Sequence, residues 1–329
     1  MPKKFDIITI GSATLDVFAK SESELIKIKT THNQEELIAY PLGSKILITD
    51  LEFQIGGGGT NTALTFANLG LKTGYMGTVG NDENGRNILA LMKKNRIDFI
   101  GTVIEAKTNY SIILDSIEED RTILVYRDAS DKVDFKQLKL KNLRTKCIYS
   151  SSVLEPGFFA LEKLSEWTKK NNILFAFNPS NYQAEKGYYY MRKVLKNTDI
   201  LILNKEEAQK IIGNGEEEYL LKKLREAGPK IVVITDGKNG AHILHEKTIY
   251  SALPKKVKVN ETTGAGDAFA SGFVAGLIMK KDILFAIRLA FNNAESVIQG
   301  YGPKYVIPNR KKALELVRKD KRKIRKKRL

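Results

Sequence analysis

The chain of 329 residues carries a single cysteine and lacks any apolar run of the roughly eighteen residues that span a bilayer. A lone thiol cannot close an intramolecular disulfide, so Cys147 in KCIYSS reads as a strand residue of a protein kept in a reducing cytoplasm. The N-terminal MPKKFDIITIGS enters a strand pattern directly, without the apolar segment of a secretory signal, which also favours a cytoplasmic location. No Pro/Ser-rich linker divides the chain and no repeat of solenoid period is visible, which points to one α/β domain over residues 1–329. What remains is a composition of 42% hydrophobic and 28% charged residues, ordinary for a globular protein with a substantial core.

The net charge of +16 is unevenly spread. Nine of the twelve residues in 318–329 are Lys or Arg against one Asp, so half of the excess sits there. This basic tail is expected either to fray as a solvated helix end or to touch a nucleic acid or another anionic surface. The mildly positive body suits phosphorylated ligands, and equally plain solubility.

Past residue 146 the pattern alternates strand and helix, with helices expected near 158–171, 186–196 and 205–212. Such alternation predicts a mostly parallel central sheet with helices on both faces. Residues 73–79 read as one strand, and Gly11–Asp16 as the loop leaving the strand at 5–10. The strand-rich pieces near 17–55 and 105–130 do not fit the alternation, and predict a small β-sheet inserted as a lid.

Four short patterns carry chemistry. Glu261-Thr-Thr-Gly-Ala-Gly-Asp-Ala-Phe269 is a Gly-rich turn entering an apolar helix. A helix start offers unpaired N–H groups and the positive end of the dipole to an anion, and Asp267 beside it suits proton removal from an attacking hydroxyl. Gly56 to Gly59, followed by Thr60 and Asn61, lets the backbone approach a ligand, or is a flexible turn only. It is no P-loop, because no Lys-Ser/Thr follows. Asn204 and Glu207 either order the waters of a Mg²⁺ or form a capping box at a helix start. Thr235, Gly237 and Gly240 make a tight turn open to a nucleotide or merely to a hairpin, and Asp16 could hold a polyol or cap a loop.

In this order and spacing the patterns resemble the ribokinase/PfkB family of carbohydrate and nucleoside kinases, over nearly the whole chain. The resemblance implies a ribokinase-like fold and an ATP-dependent phosphotransferase with Asp267 as base. Gly264, Ala265 and Gly266 would form the anion hole. Asp16, Gly56, Gly57 and Asn61 would hold the acceptor, and Asn204, Thr235, Gly237, Gly240 and Asn293 the nucleotide. Mg²⁺ would be met through water by Glu207, and K⁺ by Glu261 and Thr263, although Glu261 replaces the usual Asp. A homodimer through the lid is also implied. The acceptor is expected to be a small sugar, with a nucleoside or a sugar phosphate as alternatives. A nucleoside would need an apolar slot, for which Tyr110, Ile112 or Tyr126 are candidates; a sugar phosphate would need Arg121 or Arg127.

Overall fold

In the computed structural model, residues 4–21, 25–29, 34–38, 40–115, 121–129, 143–155, 157–300 and 307–329 are described. The strands of the first half are β1 (Lys4–Ile10), β2 (Thr14–Ser21), β3 (Leu25–Lys29), β4 (Gln34–Ile38), β5 (Ile48–Gly56), β6 (Thr73–Met76), β7 (Thr78–Gly80), β8 (Asp98–Phe99), β9 (Thr102–Ile104), β10 (Asn109–Asp115) and β11 (Arg121–Tyr126). Those of the second half are β12 (Arg144–Ser150), β13 (Leu174–Phe177), β14 (Ile200–Asn204), β15 (Ile231–Thr235), β16 (Ala241–His245), β17 (Thr248–Ala252) and β18 (Arg325–Arg328). The helices are α1 (Gly58–Asn68), α2 (Glu83–Lys94), α3 (Gly157–Lys170), α4 (Asn181–Glu185), α5 (Gly187–Asn197), α6 (Lys205–Ile212), α7 (Glu217–Glu226), α8 (Ala265–Lys280), α9 (Ile283–Val297) and α10 (Arg310–Lys319).

Ten strands form the main sheet in the order β18-β17-β16-β15-β14-β13-β12-β1-β6-β8. Pairing is parallel from β8 to β15 and antiparallel from β15 to β18. Side chains alternate across a strand, so the continuous apolar runs are buried on both faces. On β1, Ile8 and Ile10 join a core with Phe158 and Leu161 of α3, while Ile7 joins Phe66 of α1 and Phe273 of α8 on the other face. The expected parallel sheet between two helical layers is what forms. Cys147 lies fully buried on β12, where burial pushes its thiol pKa up.

A separate four-stranded sheet has the order β11-β10-β2-β5. Its register sorts the side chains by face. Thr14, Asp16, Gln54, Asn109, Ser111 and Val125 share one face, and Leu15, Val17, Phe53, Tyr110, Ile112, Leu124 and Tyr126 share the other.

Three local expectations need correction. Asp16 is not in a loop: the chain turns at Gly11–Ala13 and Asp16 already pairs with Gln54 and Ser111 inside the small sheet. The strand expected over 73–79 breaks at Gly77, and β7 leaves the main sheet to pair with β9. The basic tail is not a fraying helix. After α10 the chain runs back as edge strand β18, hydrogen-bonded to β17 from Ser251↔Arg325 to Thr248↔Arg328. Between them Asp320 and Arg322 turn inward, with side chains 0% and 3% exposed. The guanidinium reaches Glu295 at 2.7 Å, Asp320 at 3.3 Å and the Leu253 carbonyl at 2.6 Å, and lies 4.0 Å from the Phe291 ring centroid.

Candidate active site

The turn at 261–264 ends in Gly264, whose φ of 79° is left-handed and free of penalty only in glycine. It aims the first turn of α8 outward, with Asp267 half-buried at its third residue. Ala265 N–H donates to the Thr262 carbonyl at 3.1 Å. Of the three residues proposed for an anion hole, Ala265 therefore has its N–H engaged within the turn. A side chain at Gly266 would meet no neighbour, which leaves room for a ligand. Glu261 Oε1 accepts from the Thr263 N–H and hydroxyl, both at 2.7 Å, so the two candidate K⁺ residues are linked to each other.

The second Gly-rich loop meets this helix start. Gly57 has a φ of 94°, and a Cβ there would lie 2.5 Å from the Ser12 carbonyl, so any other residue would force the loop away. Asn61, one turn into α1, donates from Nδ2 to Asp267 Oδ2 at 3.0 Å across 206 residues of sequence. Its Oδ1 is buried without a partner. Asp16 packs against Gly56, where a Cβ would fall within 1.6 Å of the Asp16 carboxylate. The residues expected to hold the acceptor are thus gathered at one point.

Asn204 and Thr235 sit side by side at the ends of the parallel strands β14 and β15. Asn204 and Glu207 do form a capping box: Asn204 Oδ1 accepts from Glu207 N–H at 2.7 Å, and Glu207 Oε2 from Asn204 N–H at 2.9 Å. Glu207 Oε1 remains to accept from the waters of a hydrated ion, whereas Asn204 keeps only its Nδ2 donor, so the capping box is compatible with the Mg²⁺ reading at Glu207 alone. Burial raises the Glu207 pKa from 4.5 to about 7. Gly237–Asn239 make a single 3-10 turn closed by Asp236 N–H on the Gly240 carbonyl, and β16–β17 follow as a hairpin.

Asn293, expected to border the nucleotide, keeps a buried Oδ1 with no hydrogen-bond partner among the described residues. It is fully buried and donates to the Ala268 carbonyl at 2.6 Å, tying α9 to the residue after Asp267. Two buried neighbours of the site are absent from the sequence patterns. Tyr149, buried beneath the site, donates to Asn178 Oδ1 at 3.2 Å, and its hydroxyl pKa is raised by burial first and then by the charges of Asp267 and Glu207. Asn178 opens the Asn-Pro step directly after β13, which is a turn signal in itself.

Between the small sheet and the ends of β1 and β12 lies a cavity of about 210 Å³. Its wall includes Ser12, Asn109, Ser111, Ser152, Ser180 and Arg127, with no aromatic ring among the described residues. Tyr110, Ile112 and Tyr126 lie on the opposite face of the small sheet, so the apolar slot expected for a nucleoside base is not formed by them. The side chain of Arg121 lies outside the described residues.

Residues 6–310 match the sequence family described as pfkB family carbohydrate kinase. The chain belongs to the pfkB family. It is 28% identical over 317 residues to an ATP-dependent 6-phosphofructokinase of Thermoanaerobacterium thermosaccharolyticum, covering 92% of this chain and 89% of that one. It is 26% identical to the 5-dehydro-2-deoxygluconokinase of Bacillus subtilis, over 96% of both chains. Its fold matches that of Arabidopsis thaliana ribokinase complexed with ribose and ATP, at a TM-score of 0.79 and 19% identity, over 97% of this chain and 100% of that one. As a pfkB kinase the chain is an ATP-dependent phosphotransferase with a sugar hydroxyl as acceptor. Among the described residues no helix is long and apolar enough to cross a membrane.

Proposed function

We propose that this pfkB kinase transfers the γ-phosphoryl of ATP to a hydroxyl of a small sugar, with Asp267 as the base. The contact of Asn61 with Asp267 carries this reading, because it joins the acceptor loop to the helix start that would face the phosphoryl group. Asp16, Gly56, Gly57 and Asn61 hold the sugar, and Asp267 takes the proton of the attacking hydroxyl. The N–H groups of Gly264 and Gly266 face charge on the transferred group, with Ala265 shaping the turn. Phosphoryl transfer depends chiefly on positioning and electrostatics, which this junction of two Gly-rich loops supplies. Thr235, Gly237 and Gly240 border the nucleotide. An ADP-release assay across a panel of sugars, nucleosides and sugar phosphates tests the reading. Turnover confined to nucleosides would sink it.

Mg²⁺ neutralises phosphate charge when it is bound with ATP. Glu207 would hold it through water, with its free Oε1. Because the Glu207 carboxyl titrates near pH 7, the Mg²⁺ needed for half-maximal rate should rise about tenfold per pH unit below 7. In Glu207→Gln that dependence should flatten; an unchanged pH profile removes Glu207 from the metal site. The same shift means Glu207 favours the folded state below its ordinary pKa of 4.5, and that stabilisation is lost as pH rises through about 7. Glu261 and Thr263 are the proposed K⁺ ligands. Equal rates in K⁺ and in tetramethylammonium salts would exclude such a site.

The small sheet serves as the lid, and its outer face suits a second copy of this chain. Leu51, Phe53, Leu124 and Tyr126 are 52%, 59%, 52% and 49% exposed there. A Phe53→Asp/Leu124→Asp variant should elute as a monomer at concentrations where the parent is a dimer, read by light scattering. A nucleic-acid role for the basic C-terminal segment has less support. A basic recess of about 610 Å³ is lined by Lys255, Lys319, Lys321, Lys323 and Arg325, but Lys327 and Arg322 are committed to Glu218, Glu295 and Asp320. Salt-sensitive RNA retention lost on charge reversal at Lys321 and Lys323 would add that function.

A further inference from the structure

Arg322 lies between α10 and β18, beyond residue 310, where the family match ends. Its buried guanidinium joins three elements. Nε donates to Asp320 at 3.3 Å, Nη2 to Glu295 of α9 at 2.7 Å, and Nη1 to the Leu253 carbonyl at 2.6 Å. Glu295 Oε1 also accepts the Lys255 N–H at 2.7 Å, so the chain leaving β17 is held at Leu253 and again at Lys255. The Lys255 ammonium completes the cluster, donating to Asn292 Oδ1 at 3.0 Å and lying 3.4 Å from Asp320 and 4.0 Å from Glu295.

Leu253 is where the 236–240 turn rests. Gly240 has a φ of 96°, and a Cβ there would collide with the Ala252 carbonyl and lie 3.1 Å from the Leu253 Cα. Backbone therefore packs on backbone, with no side chain between to absorb a shift. Asp236 N–H closes the turn on the Gly240 carbonyl at 2.8 Å, so the turn moves as one piece. Toward the other side, the guanidinium lies 4.0 Å from the Phe291 ring centroid, and Phe291 packs edge-on against Phe269 at 5.1 Å. Phe269 belongs to the first turns of α8, just past Asp267. One side chain thus stands between the turn and the helix start.

We propose that Arg322 is a positioning residue for the nucleotide: it fixes the 236–240 turn relative to the start of α8 and so aligns ATP with Asp267. This rests on the reading of Thr235, Gly237 and Gly240 as the nucleotide border. A charged donor buried against a carbonyl makes a short, strong hydrogen bond, and the planar fork of a guanidinium serves several acceptors in fixed directions. A lysine's donors radiate from one nitrogen, too compact to span Leu253, Glu295 and Asp320 together. The C-terminal segment is then part of the frame of the ATP site as well as an edge of the sheet.

Calorimetric titration with ADP and Mg²⁺, without acceptor, reads this apart from turnover. Arg322→Lys retains the buried cation, and Glu295→Met removes the acceptor of the Lys255 N–H; each should weaken ADP by about tenfold. Glu295→Gln keeps an oxygen for that N–H and should stay within about threefold of the parent. In steady state, Arg322→Lys should raise KM for ATP by about tenfold, with kcat and the acceptor KM nearly unchanged. Leu161→Ala, fully buried among α3 residues under the other face of the sheet, is destabilised by a cavity and should bind ADP like the parent. Thr235→Val tests the nucleotide border by itself and should also weaken ADP. If it does while Arg322→Lys and Glu295→Met bind like the parent, the positioning role falls and the border stands. If all three bind like the parent, both fall. A loss in Leu161→Ala equal to that in Arg322→Lys would reduce the effect to stability and overturn the proposal.

Discussion

Asp267→Asn is expected to lower kcat by about 10²–10⁴ while leaving the melting temperature and acceptor affinity nearly unchanged. The amide oxygen can still accept the Asn61 Nδ2 hydrogen bond now made at 3.0 Å, so the junction of α1 and α8 should survive. What disappears is the carboxylate proposed to take the proton of the acceptor hydroxyl. The loss should be far from total, because the helix-start N–H groups and the substrate contacts remain. Steady-state kinetics with a coupled ADP assay decides the matter, and near-parental kcat would remove Asp267 as the base. A large rise in KM with kcat intact would assign the residue to substrate binding instead.

Arg322→Met should unfold the protein at much lower temperature, by an amount that sets it apart from ordinary surface changes. Asp320 and Glu295 have side chains 0% and 7% exposed, and share Arg322 as the buried cation and half-exposed Lys255, 3.4 and 4.0 Å from them, as the outer one. Burial would raise the Asp320 carboxyl pKa, but the Arg322 backbone N–H and guanidinium hold it below its ordinary value. Its contribution is thus present above the unfolded pKa and is lost as pH falls through the folded one. Removing one partner of a buried pair costs about 3–5 kcal/mol, which for a chain of this size is roughly 4–7 °C in Tm. The triple variant Arg322→Met/Asp320→Asn/Glu295→Gln should recover part of that loss, since it leaves no buried charge unpaired. Differential scanning calorimetry of both variants is the check. A single variant within 2 °C of the parent would show that the cluster is not holding the C-terminal strand.

Local chemistry was legible in the sequence where one segment carries the whole signal. The Gly-Ala-Gly-Asp turn and the Asn204–Glu207 capping box each depend on residues within four positions, so their geometry follows from the chain itself. Parallel βα units were legible for a similar reason. The misreadings arose where a partner distant in sequence decides the outcome. β18 reads Arg-Lys-Lys-Arg, with no apolar alternation, and becomes a strand only because β17 offers it an edge. Which face of β10 and β11 meets the cavity depends on the register with β2, and it excluded the aromatic residues while admitting Arg127.

Strand β5 ends at Gly56, and α1 begins two residues later at Gly58. The outer sheet therefore has no slack tether on that side. Any tilt of it pulls directly on the loop that carries Gly57 and, one turn on, Asn61, whose amide donates to the Asp267 carboxylate. With the roles proposed above, recognition of the sugar and arming of Asp267 would be two ends of a single lever. Variants that relax substrate choice at β5 should also leak, hydrolysing ATP with water as the acceptor, because the part that senses the cargo is the part that latches the trigger.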